Sequence, residues 1–202
     1  MNRTADVVIV GAGVIGSATA FELAKRGYKT LNIDKLPASG YGSTSNSCAI
    51  VRAHYSTWDG VAMAYEGFFY WDDWNKYLEV EDERGMAKYM KTGSIMFMLK
   101  GADHSKKSLN LFKEIGVEHE IWDLETLKKK MPIYSHDSYN GTSRPDEDDS
   151  FFDKSGDQIE GAVWTPGSGY VSDPQLATHN LQVATEAKGG EFLFDAEITE
   201  IR

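Results

Sequence analysis

The sequence predicts an α/β fold: a sheet with covering helices built from the two ends of the chain, and part of an α+β segment inserted between them. Three observations predict it. A short apolar run, Val7–Val10, leads straight into glycines at 11, 13 and 16 and then into helical periodicity. A second apolar run, Thr30–Ile33, closes on an acid, Asp34. Near the far end, Asp173 and Pro174 open a helix that Gly189 and Gly190 close before the strand-like EFLFDAEITEIR.

In chain order, the first run has the length and content of a buried strand. Residues 14–26 read as a helix, with Val14, Ala18, Phe21 and Ala24 near one face and Gly27 as its stop. PASGYGSTSNS, rich in small and turn-forming residues, is a loop. Residues 60–78 predict one long helix, because Val61, Ala64, Phe68, Trp71 and Leu78 share a stripe. KTGSIMFMLKG is a strand. Asp103 caps a helix carrying Leu109, Phe112 and Ile115 that ends at Gly116, and VEHEIW is strand-like. Asp123 caps a short helix through Leu124, Leu127 and Met131 that Pro132 stops. Residues 135–161 turn polar and predict a surface loop. AVWTP resumes a strand, residues 176–188 form the last helix, and one or two strands close the sequence. Because the chain stops at Arg202 within a strand-like run, we expect it to be the front part of a longer protein.

The charge balance narrows the partners. Twenty-one basic residues against 31 acidic ones leave a net charge of −10, which repels phosphate backbones, so nucleic acid is not an expected partner. One cysteine, Cys48, excludes an internal disulfide and a multi-cysteine zinc site, and suits a reducing, cytoplasmic setting. The five histidines (54, 104, 119, 136 and 179) contain no i,i+4 pair and no H-E-x-x-H, so no metal is expected. The acidic run at 145–149, PDEDD, lacks a full calcium-loop pattern and reads as a solvated loop. Neither a signal peptide nor a transmembrane run is expected.

Gly11-Ala12-Gly13-Val14-Ile15-Gly16 sits between a strand and a helix, where each glycine has a task. Gly11 allows the tight turn, Gly13 lets backbone approach a pyrophosphate, and Gly16 lets helix and strand pack closely. The helix N-terminus offers N–H groups and partial positive charge to phosphates. Asp34, 18 positions after Gly16, can accept hydrogen bonds from a ribose diol, and its carboxylate argues against a 2′-phosphate. Residues of this pattern fit a dinucleotide.

The pattern extends through Ala20, Leu23, Ala24 and Gly27, and is followed by GYGSTSNSCAIVRAHYS and later by GAVWTPGSGYVSDPQLATHNLQVATEAKGGEF. In these stretches the chain resembles the FAD-dependent amino-acid and amine oxidoreductases: D-amino-acid oxidase, glycine oxidase, sarcosine oxidase, and dimethylglycine and sarcosine dehydrogenases. The resemblance spans nearly the whole chain but only about the front half of a family member. It implies a Rossmann-like FAD-binding domain, discontinuous over 1–85 and 160–202, and a partial substrate domain over 86–159. It implies that Gly11, Ala12, Gly13, Val14, Ile15 and Gly16 cradle the FAD pyrophosphate, and that Asp34 holds the adenosine ribose with Lys35 beside it. Ser43, Thr44 and Ser45 would lie near the pyrophosphate or the flavin. A helix cap is an equal reading of those three, compatible with the first.

By the same resemblance Arg52, in IVRAHYS, holds a substrate carboxylate with its planar fork, and Tyr55 lines the pocket. A surface ion pair for Arg52 and plain packing for Tyr55 are the competing readings. His54 is read as structural. Some relatives carry a covalent flavin on a histidine after the GST-like loop; Asn46 and Ser47 stand there in this chain, so attachment at that point is not expected. The aromatic stretch from Tyr65 to Tyr77 has core spacing rather than that of an amine cage.

The implied reaction is oxidation of an amino acid or N-alkylated amine by hydride transfer to flavin, the imine then being hydrolysed. The electron acceptor is open. Three alternatives stand beside it: a flavin-dependent 2-hydroxy-acid dehydrogenase, an NAD-dependent dehydrogenase, and a flavin-binding piece inert alone.

Overall fold

A computed structural model describes residues 3–101, 103–139 and 144–200. Its first elements are β1 (Val7–Val10), α1 (Val14–Lys25), β2 (Thr30–Ile33), β3 (Ile50–Val51), α2 (Trp58–Asp72), α3 (Trp74–Leu78) and β4 (Tyr89–Met90). There follow β5 (Ser94–Met98), α4 (Asp103–Ile115), β6 (Glu120–Asp123), α5 (Leu124–Lys130), β7 (Asp137–Tyr139) and β8 (Lys154–Gln158). The last are β9 (Gly161–Thr165), β10 (Gly169–Val171), α6 (Pro174–Ala187) and β11 (Glu191–Leu193). The chain packs as two units: one of residues up to Val51, Phe68–Met90 and residues from Tyr170 onward, the other of Arg52–Gly67 and Lys91–Gly169.

In the first unit, β2 is the middle strand of a parallel sheet ordered β1-β2-β11. Val7 to Val10 pair with Thr30 to Ile33, and Glu191 to Leu193 pair with Leu31 to Ile33, so both ends of the sequence meet on one strand. Thr30, Leu31 and Asn32 are buried, as a central strand with both faces covered requires. Helix α1 buries Ser17, Ala20, Phe21 and Ala24. It packs on α6, whose buried side is also built of small residues, among them Ala177 and Ala184. Small residues on both faces let the helices approach closely. Helix α6 starts where Asp173 Oδ1 accepts the amides of Gln175 and Leu176, each at 2.9 Å, with Pro174 in the first turn. Phe21, Trp74, Leu78, Val171 and Leu181 meet in the core of this unit.

A buried polar cluster ties the 82–87 segment to α6. Asp82 accepts from Arg84 N (2.9 Å), Asn180 Nδ2 (2.8 Å) and His179 Nδ1 (2.6 Å). Asn180 Oδ1 in turn accepts from Trp74 Nε1 and Ala87 N. Burial raises the Asp82 pKa, but these donors outweigh it and hold the carboxyl below its ordinary value.

The stripe over 60–78 forms two helices instead of one. Asp73 leaves the helical region (φ −119°, ψ 41°) and begins α3 as its N-cap residue. Two adjacent carboxylates at Asp72 and Asp73 lie at the negative end of the first helix dipole, where aspartate favours a break. Restarting there places Trp74 and Leu78 in the core, while Phe69 and Tyr70 stay exposed. The two- and three-residue strands β3, β4 and β10 form a sheet ordered β3-β10-β4 that carries too few residues for a periodic signal. The closing sequence supplies one strand, β11. Beyond it the backbone turns at Asp195 (φ +52°) and Ala196 N donates to Asp34 O at 3.0 Å.

In the second unit, β5, β9 and β6 form an antiparallel sheet with β9 central, Ser94 pairing with Thr165 and Asp123 with Gly161. Trp122, Leu127, Ile159 and Ala162 form its core, and Trp122 stacks on Trp164 at 5.1 Å. Asp123 caps α5 as its sequence predicts, accepting Thr126 N at 2.8 Å. The polar segment at 135–161 is not simply a loop: it holds the antiparallel pair β7 and β8, and β9 already begins at Gly161. All five residues of β8 are exposed, so no buried face imposes an alternation that the sequence could display. Residues 140–143 of that segment lie outside the described residues. Among the described residues no group of three His, Cys, Asp or Glu side chains could hold a metal, and no helix is long and apolar enough to cross a membrane.

Candidate functional site

The turn after β1 is built by contacts that only glycine permits. Gly11 has φ +103°, and its N–H donates to Ile33 O at 2.8 Å, anchoring the turn to β2. A Cβ on Gly16 would lie 2.2 Å from Gly11 O and 3.1 Å from Gly11 C. Real side chains do not approach backbone that closely, so the helix can start this near the strand only with glycine at 16. Gly13 occupies the N-cap position of α1 and has no side chain to cap it. Thr44 supplies the missing cap from the GSTS loop: its buried Oγ1 accepts Val14 N at 3.1 Å. A Cβ on Gly13 would meet that same hydroxyl at 3.1 Å. Ala12 is buried, its carbonyl accepting Gly40 N at 2.8 Å, whereas Ile15 is exposed.

Asp34 stands at the end of β2, facing the turn. Its Oδ2 accepts Ala12 N at 2.7 Å and its Oδ1 accepts Leu36 N at 2.9 Å. Each carboxylate oxygen keeps a second lone pair. A cleft of about 290 Å³ opens beside it, lined by Val10, Gly11, Ile33, Asp34, Lys35 and Ala196 among others. Lys35 is exposed at this cleft. Ser43 and Ser45 are exposed as well, and Ser45 Oγ turns back to Gly42 O at 2.8 Å. Asn46 and Ser47 are engaged in local turns, and the Cys48 thiol is exposed.

Arg52 and Tyr55 belong to the second unit. Arg52 is exposed, its Nη1 donates to His54 O at 3.1 Å, and its guanidinium carbon lies 5.7 Å from the Tyr55 ring centroid. Tyr55 is exposed, and its carbonyl accepts Ser108 Oγ at 2.9 Å. Between them His54 turns inward. Its Nε2 lies 3.0 Å from Thr165 Oγ1 and 3.3 Å from Ser94 Oγ, and Thr165 Oγ1 is 2.9 Å from Ser168 Oγ. Burial first, then the positive charges of Arg52 and His104, push the His54 pKa down from 6.5 to about 4. The ring is therefore neutral near pH 7.

This depressed pKa has a consequence for stability. The unfolded chain binds the proton near pH 6.5 and the folded one only near 4, so the contribution of His54 is present above pH 6.5 and is lost as pH falls through that window. The expected result is a urea midpoint that declines from pH 6.5 to 4 in the parent protein and declines less in His54→Gln. Equal slopes in the two proteins would show that His54 is not the group responsible.

Two features of the site were absent from the sequence reading. The first is the hydroxyl network of Ser94, Thr165 and Ser168 around His54, which only the pairing of β5 with β9 brings together. The second is Asn32, fully buried in β2, whose Nδ2 donates to Gly11 O at 3.3 Å and to Gly16 O at 3.2 Å. A carboxamide in the middle of the short strand TLNI was the available signal.

Comparison with known proteins follows the same lines. The family described as DAO: FAD dependent oxidoreductase matches residues 6–202. A putative sarcosine oxidase of Caenorhabditis elegans is 31% identical over 147 residues, covering 72% of this chain and 36% of its own. Monomeric sarcosine oxidase of Streptomyces avermitilis is 26% identical over 200 residues, covering 98% of this chain and 45% of its own. Among solved structures, L-proline dehydrogenase from P. horikoshii superposes with a TM-score of 0.74 at 21% identity, over 98% of this chain and 46% of that one. Glycine oxidase from Geobacillus kaustophilus gives 0.70 at 23% identity, over 98% and 48%. At those identities the likeness of structure shows the fold alone. The chain spans less than half the length of the curated relatives it matches.

Proposed function

Because the chain belongs to the family of FAD dependent oxidoreductases, we propose that its first unit holds FAD and that the protein oxidises an amino acid or N-alkylated amine of the sarcosine or dimethylglycine kind. The observation that carries the cofactor reading is the closed turn, in which the place of a Gly16 Cβ is taken by Gly11 O while the cleft opens at Asp34. That arrangement fits a dinucleotide: a pyrophosphate over the turn and the start of α1, an adenosine ribose against the remaining lone pairs of Asp34, and Lys35 beside the adenosine. Residues 12 to 15 give backbone to the cradle. Thr44 sets the helix start through its cap, and Ser43 and Ser45 present hydroxyls on the same loop. We assign the flavin-binding role to that first unit and a share of the substrate domain to the second, Arg52–Gly67 and Lys91–Gly169.

When bound, FAD supplies a two-electron acceptor for the hydride leaving the carbon next to the amine nitrogen. The protein's own part is recognition and orientation. The amine must be neutral to give up that hydride; water then hydrolyses the resulting iminium to an amine and a carbonyl compound with release of one proton. Arg52 offers a planar pair of donors to the substrate carboxylate, and Tyr55, already against the guanidinium, limits how that fork can turn. His54 is buried and engaged with Thr165 and Ser94, and we assign it a structural role.

Reconstitution with FAD tests the reading. A yellow protein whose flavin bleaches with N-methylated amino acids supports it; bleaching with 2-hydroxy acids alone would replace the amine by an alcohol. In active protein, Arg52→Ala is expected to raise KM for carboxylate substrates by about tenfold to a hundredfold, the worth of a charged hydrogen bond, with a smaller change in kcat. An unchanged KM would remove Arg52 from the site.

A further inference from the structure

We propose that Asn32 is a positioning residue for the cofactor turn, and that with Asp34 it clamps the Gly11–Ala12 peptide from opposite ends; this rests on the flavin-binding reading above. Asn32 lies in β2 and Asp34 directly follows its last residue, Ile33, and the side chains of both reach the turn. In a trans peptide the C=O and N–H point in opposite directions. Asn32 Nδ2 donates to the C=O end of that peptide, Gly11 O at 3.3 Å, and Asp34 Oδ2 accepts from its N–H end, Ala12 N at 2.7 Å. The same Nδ2 reaches Gly16 O at 3.2 Å, joining the start of the turn to the first turn of α1. Gly11 O is also the atom that forbids a side chain at Gly16. One amide therefore holds both carbonyls whose spacing defines the cradle.

Packing alone does not account for an asparagine here. The residue is fully buried, and its Oδ1 has no hydrogen-bond partner among the described residues. Leucine has nearly the same shape and would leave no orphaned oxygen. Turning the amide over would set Oδ1 against two carbonyl oxygens, so the donor must face the turn. The carboxamide is retained at a cost to the strand, and what it provides is a fixed peptide plane.

The experiment compares the full chain with Asn32→Leu and Asn32→Val, reading FAD affinity by flavin fluorescence, urea midpoints without FAD, and hydrogen exchange at the amides of residues 13–16. The expected result is an affinity about tenfold weaker, as loss of one buried hydrogen-bonding group gives. Exchange at those amides should be faster, and the apoprotein midpoint unchanged or higher. Unchanged FAD affinity or unchanged exchange in the variants overturns the assignment. Affinity and apoprotein midpoint falling in step in both variants also overturns it, because the amide then only supports the strand. A parent chain that takes up no FAD overturns the flavin-binding reading itself, and this inference with it.

Discussion

Gly16→Ala is expected to weaken FAD affinity by roughly a hundredfold in a chain that still folds its second unit. The added Cβ must displace Gly11 O, a backbone atom 2.2 Å away, and cannot escape by changing a rotamer. Relief requires α1 to move off β1, which opens the turn and pulls apart the Gly11 and Gly16 carbonyls that Asn32 holds. Overpacking of this kind costs about 3 kcal/mol, or roughly a hundredfold in affinity when it falls on the binding conformation. Titration of flavin fluorescence measures the loss. Gly67→Ala is the control: nothing lies within 4 Å of its Cβ, and it sits within α2, so it should leave FAD binding intact. Parent-like binding by Gly16→Ala would mean that the turn is not the cradle.

Asp34→Ala should have an effect of similar size. The carboxylate accepts two backbone amides, Ala12 N and Leu36 N, and each charge-assisted bond is worth about 1.5 to 3 kcal/mol. Its removal frees the turn on one side and the strand end on the other, and it takes away the acceptor proposed for the ribose. FAD affinity is expected to fall by about a hundredfold. Asp34→Asn, of the same size, retains one acceptor oxygen but sets an NH₂ against a backbone donor, and should fall between the two. Affinity for ADP should drop in parallel with that for FAD, since ADP carries the same ribose and pyrophosphate. If FAD affinity falls while ADP affinity holds, the carboxylate serves some other part of the cofactor.

Several parts of this picture could be read from residues in order. The strand–glycine–helix–strand–acid succession has fixed spacing because each member answers a local demand: a positive φ, a close approach, a helix start, a strand end. Those demands act over a few residues, so they are written in consecutive sequence. The caps at Asp123 and Asp173 are legible for the same reason. The stripe over 60–78 carried its burial pattern correctly at Val61, Phe68 and Leu78 but not its break at Asp73, since a single residue outside helical φ and ψ barely disturbs a period. The pair β7 and β8 left no pattern, because β7 has only three residues and neither face of β8 is buried.

By itself, then, the sequence determined the α/β class, the glycine turn, the acid at 34 and the family to which the chain belongs. The tertiary structure decided what each polar group faces. Pairing of β2 with β1 sets Asn32 under the turn and commits Asp34 to Ala12. Pairing of β5 with β9 sets hydroxyls around His54, while burial lowers its pKa. Turns and caps arise from neighbours along the chain, whereas hydrogen-bond partners and pKa values arise from neighbours in space, 22 residues away for Asp34 and 111 for His54.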